Sequence, residues 1–206
     1  MNGVKARIYT AAMRILADKG GTTITVSELA TEAGLSRGTI YNNVENTSGI
    51  FEAVCQMMAD EFLASVEASF EGVDDPAHRF SNIIRLCVRR VHDEPHWGRF
   101  LARFAMGEPK LGEFWGKVPA DELRRGLQIG RFVFEREQVA SITAAAGGAT
   151  FGAMTLVLQG HRTWRQAGSD VAELMLRSIG IERTEARTLA NLEIDALPKM
   201  VMFDAA

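Results

Sequence analysis

Seven consecutive residues, Arg37 to Asn43, carry most of the chemistry that the sequence offers. A guanidinium such as that of Arg37 can fork onto a guanine edge or a phosphate. The amides of Asn42 and Asn43 can read an adenine edge, and Thr39 can meet a thymine methyl or a phosphate oxygen. Gly38 has no side chain, so a partner's backbone can come close there. Ile40 and Val44 lie one helical turn apart and must point inward with Leu35, which leaves Arg37, Gly38, Thr39, Tyr41, Asn42 and Asn43 near the outer side. A glycine inside a helix costs about 1 kcal/mol relative to alanine. A helix used only for packing would have no need of it. The expected partner of this face is double-stranded DNA.

Other constellations are weaker. His92 and His96 flank Asp93-Glu94-Pro95, but the proline interrupts the helix that would align two imidazoles for zinc, and His78 and His161 add no spacing. No nucleophile elbow, phosphate loop or dinucleotide fingerprint is present, so neither enzyme activity, a metal nor a cofactor is expected. Arg85/Arg89 and Arg99/Arg103 are spaced i,i+4, as a solvated face or as guanidinium pairs for an anion. Trp97, Phe100, Phe104, Phe114 and Trp115 cluster among Gly98, Gly107, Pro109, Gly112 and Gly116. Such a cluster reads equally as core or as the wall of a mainly apolar cavity of about 300–1,000 Å³. The expected lining includes Met106 and Met154, with polar anchors from Asn82, Arg85, Arg89, Arg103 or His161.

The elements that must position these residues are almost all helical. The chain has 206 residues, 47% hydrophobic and 24% charged, the balance of a folded globular protein rather than a disordered one. Its net charge of −3 excludes a generic polyanion binder. Two separated cysteines, Cys55 and Cys87, exclude a disulfide framework and fit a reducing cytoplasm. Ile8, Ala12, Ile15 and Leu16 line one face of a first helix that ends at Gly20-Gly21. Thr25-x-x-Glu28 is a capping box for a second helix, Gly34 stops it, and Ser36 caps a third. A long helix follows from about Thr47 to Glu71. Further helices are expected over about 76–93, 96–106, 119–129, 138–167, 170–180 and 184–197. No Asp, Glu, Lys or Arg occurs from Gln138 to His161, and Gly148-x-x-x-Gly152 lies within that run. It reads as a soluble helix buried on most sides, not as a membrane span.

The helix, glycine turn and second helix from Thr25 to Val44 form a helix-turn-helix pattern. The run from Thr25 to Tyr41, TVSELATEAGLSRGTIY, resembles the DNA-binding domain of TetR-type transcriptional regulators, and Ala11-Ala12 and Lys19-Gly20 before it match as well. The resemblance covers about the first 55 residues, with a fainter echo in residues 174–181. It implies that Thr25 binds a phosphate, that Arg37, Thr39 and Asn42 lie along the major groove, and that Tyr41 rests on the DNA backbone. Val44 stands where the family usually has an aromatic residue. Thr47 stands where it usually has a phosphate-binding lysine, so that contact falls to the hydroxyl or the helix N-terminus.

The expected protein is therefore all-α. Residues 1–46 form a helix-turn-helix head, and residues 47–206 a helical ligand-binding and dimerising body. It is a repressor released from a palindromic operator by a small hydrophobic or aromatic molecule. Ala145, Gly148, Gly152 and Thr155, with Val171, Leu174, Met175 and Ile179, are the expected interface of a homodimer across a two-fold axis. The alternative is a helical dimerisation module that has lost specific DNA binding.

Overall fold

The computed structural model describes residues 3–44, 46–105 and 107–198, with the side chains of 113–115 outside the description. Ten α-helices form among these residues, and no strand. The head is α1 (Gly3–Lys19), α2 (Val26–Ala33) and α3 (Arg37–Asn43). The Thr25 capping box forms: Glu28 N–H donates to Thr25 Oγ1 at 3.3 Å, and Thr25 N–H donates to Glu28 Oε2 at 2.9 Å. Gly34, at φ 60°, reverses the chain after α2, and Arg7 of α1 donates to the Ala33 carbonyl at 2.7 Å. Two otherwise orphaned helix ends are thus satisfied by side chains.

Helix α4 (Ile50–Ala68) joins head to body. Its Ile50, Val54, Met58, Phe62 and Val66 recur every fourth residue, and all are buried. One apolar core runs from Ile8, Leu16 and Ile40 of the head through Val54 and Phe62 to Trp97, Leu101 and Met154 of the body. The body is built around α5 (Pro76–Asp93), capped by Asp75 with Pro76 at its first position, where the missing N–H costs nothing. Around it pack α6 (Pro95–Phe104), α7 (Pro109–Gln128), α8 (Val139–Leu158), α9 (Trp164–Ser178) and α10 (Arg183–Asn191). A second core, including Phe80, Leu123, Phe132, Leu176 and Ile181, fills the far end.

Four boundaries differ from the sequence expectation. Helix α4 starts at Ile50, because Asn46 accepts from Ser48 and Gly49 and holds the chain in a turn first. Helix α7 begins ten residues before Pro119, which sits buried inside it instead of opening it. The single helix expected over 138–167 is two, broken at Gly160 (φ 73°) and restarted by a capping box between Thr163 and Gln166. Helix α10 stops at Asn191, and arginines of α5 hold the following segment by its carbonyls. Arg85 donates to Leu192, Arg89 to Ile194, and Arg90 to Pro198 at 3.4 Å.

The stretch Arg136–Leu158 has the length and mean hydropathy of a membrane span, but only 22% of it is buried. The expectation of a helix buried on most sides does not hold. Six residues of α8 pack inward: Val139, Thr143, Ala146, Thr150, Ala153 and Met154. The rest of its surface, rich in alanine and glycine, lies open.

Candidate nucleic-acid interface and ligand cleft

Helix α3 stands on the head with Ile40 wholly buried beneath it and Leu35 packed beside it. Ser36 caps it: Thr39 N–H donates to Ser36 Oγ at 3.0 Å, and the two hydroxyls lie 2.8 Å apart. Arg37, Gly38, Tyr41 and Asn42 are exposed. Tyr41 is 66% exposed, which is unusual for an aromatic residue without a partner surface. A Cβ on Gly38 would meet only Ser36 Oγ, at 3.7 Å, so packing within the head does not demand a glycine there. Asn43 differs from its neighbour: its Nδ2 donates to the Thr39 carbonyl at 2.9 Å, which turns the amide along the helix. Thr25 is exposed beside its capping box, and Thr47 is half-buried in the turn before α4. The freely presented groups are those of Arg37, Tyr41 and Asn42.

Where α1 ends, the head meets α6. Asp18 lies 3.4 Å from Arg99 and 4.0 Å from His96, and Arg103 donates to the Asp18 carbonyl at 3.2 Å. Guanidinium groups at the C-terminus of α1 also complement its dipole. Burial, and then the charge of Arg99, hold the His96 imidazole below its ordinary pKa. The Arg99/Arg103 pair thus ties the head to the body and does not point into a cavity.

The described members of the aromatic cluster, Trp97, Phe100 and Phe104, pack in the core. Phe62 and Trp97 stack at 5.4 Å, Phe51 meets Phe104 edge-on at 5.0 Å, and Phe100 lies 4.9 Å from Phe104. Trp97 and Phe100 are fully buried, as is Met154 in the same core. Met106 and the side chains of Phe114 and Trp115 lie outside the described residues. Asn82 and Arg85 are buried on α5. Arg85 reaches Asn82 Oδ1 at 3.5 Å and the Leu189 carbonyl at 3.4 Å, and burial, with Arg165 nearby, lowers its pKa to about 10. Arg89 ion-pairs with Asp93 and stacks on Trp164. His161 is exposed in the α8–α9 turn. None of the nine expected lining residues with a described side chain borders the large cleft of the body.

That cleft lies between α7 and α8 and measures about 730 Å³. Helix α7 contributes Gly112, Gly116, Ala120 and Arg124, four residues apart and so on one face. Helix α8 faces them with Ala140, Thr143, Ala144, Gly147, Gly148 and Phe151, and Arg136 and Glu137 stand at its start. A void of about 20 Å³, room for one water, lies deeper, between Phe62, Phe80, Cys87 and Pro119. Gly147 borders both. The sequence carried one sign of this site, glycines four residues apart inside a helix, which the aromatic residues overshadowed.

Of the residues expected at a dimer interface, Ala145, Gly148 and Gly152 are exposed on α8, and Leu174 is 56% exposed on α9. Thr155, Val171 and Met175 are half-buried. Ile179 is wholly buried in the second core of its own chain, because α9 ends there and turns inward, so it cannot meet a partner. Leu156, 40% exposed, extends the α8 face instead. Among the described residues no group of three or more His, Cys, Asp or Glu side chains is placed to hold a metal.

Residues 8–54 match the family model for bacterial regulatory proteins of the tetR family. Residues 75–192, over half the chain, match that for the tetracyclin repressor-like C-terminal domain. No curated protein sequence gave a significant match. Among solved structures, RolR in complex with its ligand resorcinol is 25% identical, with a TM-score of 0.70 over 95% of this chain and 96% of that one. RolR without ligand is 24% identical, with a TM-score of 0.68 over 94% and 100%. FadR from Bacillus subtilis in complex with stearoyl-CoA is 18% identical, with a TM-score of 0.70 over 85% and 98%, a likeness of fold.

Proposed function

We propose that this chain, which belongs to the TetR family of bacterial regulatory proteins, acts as a repressor that a small apolar molecule releases from a palindromic operator. It is a ligand-responsive, DNA-binding transcriptional regulator, and the proposal concerns how its parts do this. Two heads of a homodimer enter successive major grooves, about 34–36 Å apart. Arg37 and Asn42 read bases, Tyr41 and Thr39 contact the backbone, and the α2 end at Thr25 and the turn at Thr47 meet phosphates. The observation that carries this reading is a capped, buried-side-down α3 whose Arg37, Tyr41 and Asn42 are exposed, with no hydrogen bond or ion pair to another described side chain.

The ligand enters the α7–α8 cleft. Head and body share one core through α4, and Asp18 ties α1 to α6, so a shift of the body helices moves the head as a unit. Ligand binds better to the form whose heads are wrongly spaced, and the population follows. The complexes of RolR with resorcinol and of FadR with stearoyl-CoA support ligand binding by a protein of this fold.

Selection from a pool of random duplexes tests the proposal. A palindromic site is expected. On that site Arg37→Ala and Asn42→Ala should each weaken binding by about 1–3 kcal/mol, with unchanged dimerisation. No enriched sequence, or unchanged affinity in both variants, would instead identify a dimerisation module that has lost specific DNA binding.

A further inference from the structure

Packing explains some of the helix-interior glycines in this chain and not others. A Cβ on Gly98 would stand 2.7 Å from Val91, one on Gly126 2.1 Å from Phe132, and one on Gly168 3.5 Å from the Arg85 backbone. Close packing explains those glycines. A Cβ on Gly112, Gly116 or Gly148 would meet nothing within 4 Å. Glycine weakens a helix relative to alanine, and beside these three lies a space that no described residue fills. That space is the 730 Å³ cleft.

Its two ends differ. A ten-residue connection makes α7 and α8 antiparallel neighbours. Arg124, late in α7, therefore shares one end with Arg136 and Glu137, just before α8, and Gly112 shares the other with Phe151 and Ala105. Gly112 to Arg124 spans twelve residues, about 18 Å of helix. The side chains between are glycine, alanine, valine and threonine, and the Thr143 hydroxyl already donates to the Val139 carbonyl at 2.8 Å. As lined by the described residues, the slot is long, its walls are low and apolar, and its charged groups stand at one end. Arg124 pairs with Asp121 at 2.8 Å, whereas Arg136 has no ion-pair partner among the described residues. Among the described residues, two guanidinium groups and one carboxylate, that of Glu137, line the slot.

We infer that the effector is an elongated amphiphile, a straight apolar chain ending in a carboxylate, with the carboxylate at Arg136 and Arg124 and the chain running toward Phe151. The inference rests on the reading of the cleft as the ligand site. A carboxylate can take both oxygens of a guanidinium fork, and a linear chain fills the slot where a compact ring would leave most of its length empty.

Titration of the intact protein with straight-chain carboxylic acids, alcohols of equal length and resorcinol, below micellar concentrations, tests it. Acid affinity should rise about fourfold per methylene, the factor for burying a CH₂, and level off once the chain outruns the slot. Acids should bind at least tenfold more tightly than alcohols. Arg136→Ala should abolish that ratio and leave alcohol binding unchanged. Gly116→Leu should block the slot against all three probes while dimerisation, by light scattering, and operator binding persist. Equal binding of acids and alcohols, or binding of resorcinol alone, overturns the amphiphile. The cleft survives as the site if Gly116→Leu still blocks the probe that binds. Failure of every probe, binding untouched by Gly116→Leu, or loss of the dimer in that variant overturns the cleft itself, the last result showing that a second copy fills it.

Discussion

Two alanine substitutions in one helix should change stability in opposite directions. Gly116 and Gly126 both lie inside α7, ten residues apart, and both gain about 0.8–1.0 kcal/mol of helix propensity on conversion to alanine. At Gly116 the new methyl enters open space, so that gain is kept. For a chain of this length it should raise the melting temperature by about 2–4 °C. At Gly126 the methyl would stand 2.1 Å from the Phe132 ring, which is itself almost fully buried. The ring must leave, losing part of the roughly 1.5–3 kcal/mol that burying it contributes, or the helix must shift at an overpacking cost of about 1–3 kcal/mol. Gly126→Ala should thus be destabilising by about 1–2 kcal/mol net, and the two variants should differ by about 2–3 kcal/mol. Urea titrations at one protein concentration, with the slope compared between variants, read the difference directly. Holding the concentration fixed matters because dimerisation contributes to apparent stability. A loss of stability in Gly116→Ala would show that the space beside it is occupied in the protein alone, and the argument for an open slot would fail.

The dimer face should respond to Leu174→Glu. Each exposed leucine removed from a two-fold interface forfeits about 1.5–3 kcal/mol on each side, so the dimer should weaken at least a hundredfold, and light scattering at micromolar concentration should find monomer. An intact dimer would place the interface elsewhere. Asp75 should set part of the acid limit of the body. Burial raises its pKa, but hydrogen bonds from Arg131 (2.9 and 3.0 Å) and from Ala77 N–H outweigh this, and the carboxyl titrates below its ordinary range. Its stabilisation is complete above the unfolded-state pKa and is lost as pH falls through the folded-state value. Asp75→Asn keeps the helix cap and should cost about 1 kcal/mol at neutral pH, the gap closing in strong acid. A gap independent of pH would exclude the ion pair as its cause.

The sequence determined the head by itself. Capping box, αL glycine, second cap and inward Leu35–Ile40 pair are interactions between residues at most five positions apart, so their spacing already encodes their geometry. Local rules also placed most of the helices of the body, and they failed where local and tertiary terms compete. Pro119 reads as a helix start because it lacks an N–H, yet burial of the surrounding α7 outweighs one missing hydrogen bond. The role of a side chain in the body was not legible, because core walls and cavity walls have the same composition. Trp97 and Phe100 went to the core once α1, α4 and α6 closed around them. Arg85 and Arg89 took the carbonyls of the chain end, more than 100 residues away in sequence. What opened the cleft was an absence, the missing side chains of Gly112, Gly116 and Gly148. Whether a missing side chain makes room for a neighbour, as at Gly126, or leaves a space for another molecule depends on what stands opposite, and only the packing of α8 against α7 decides that.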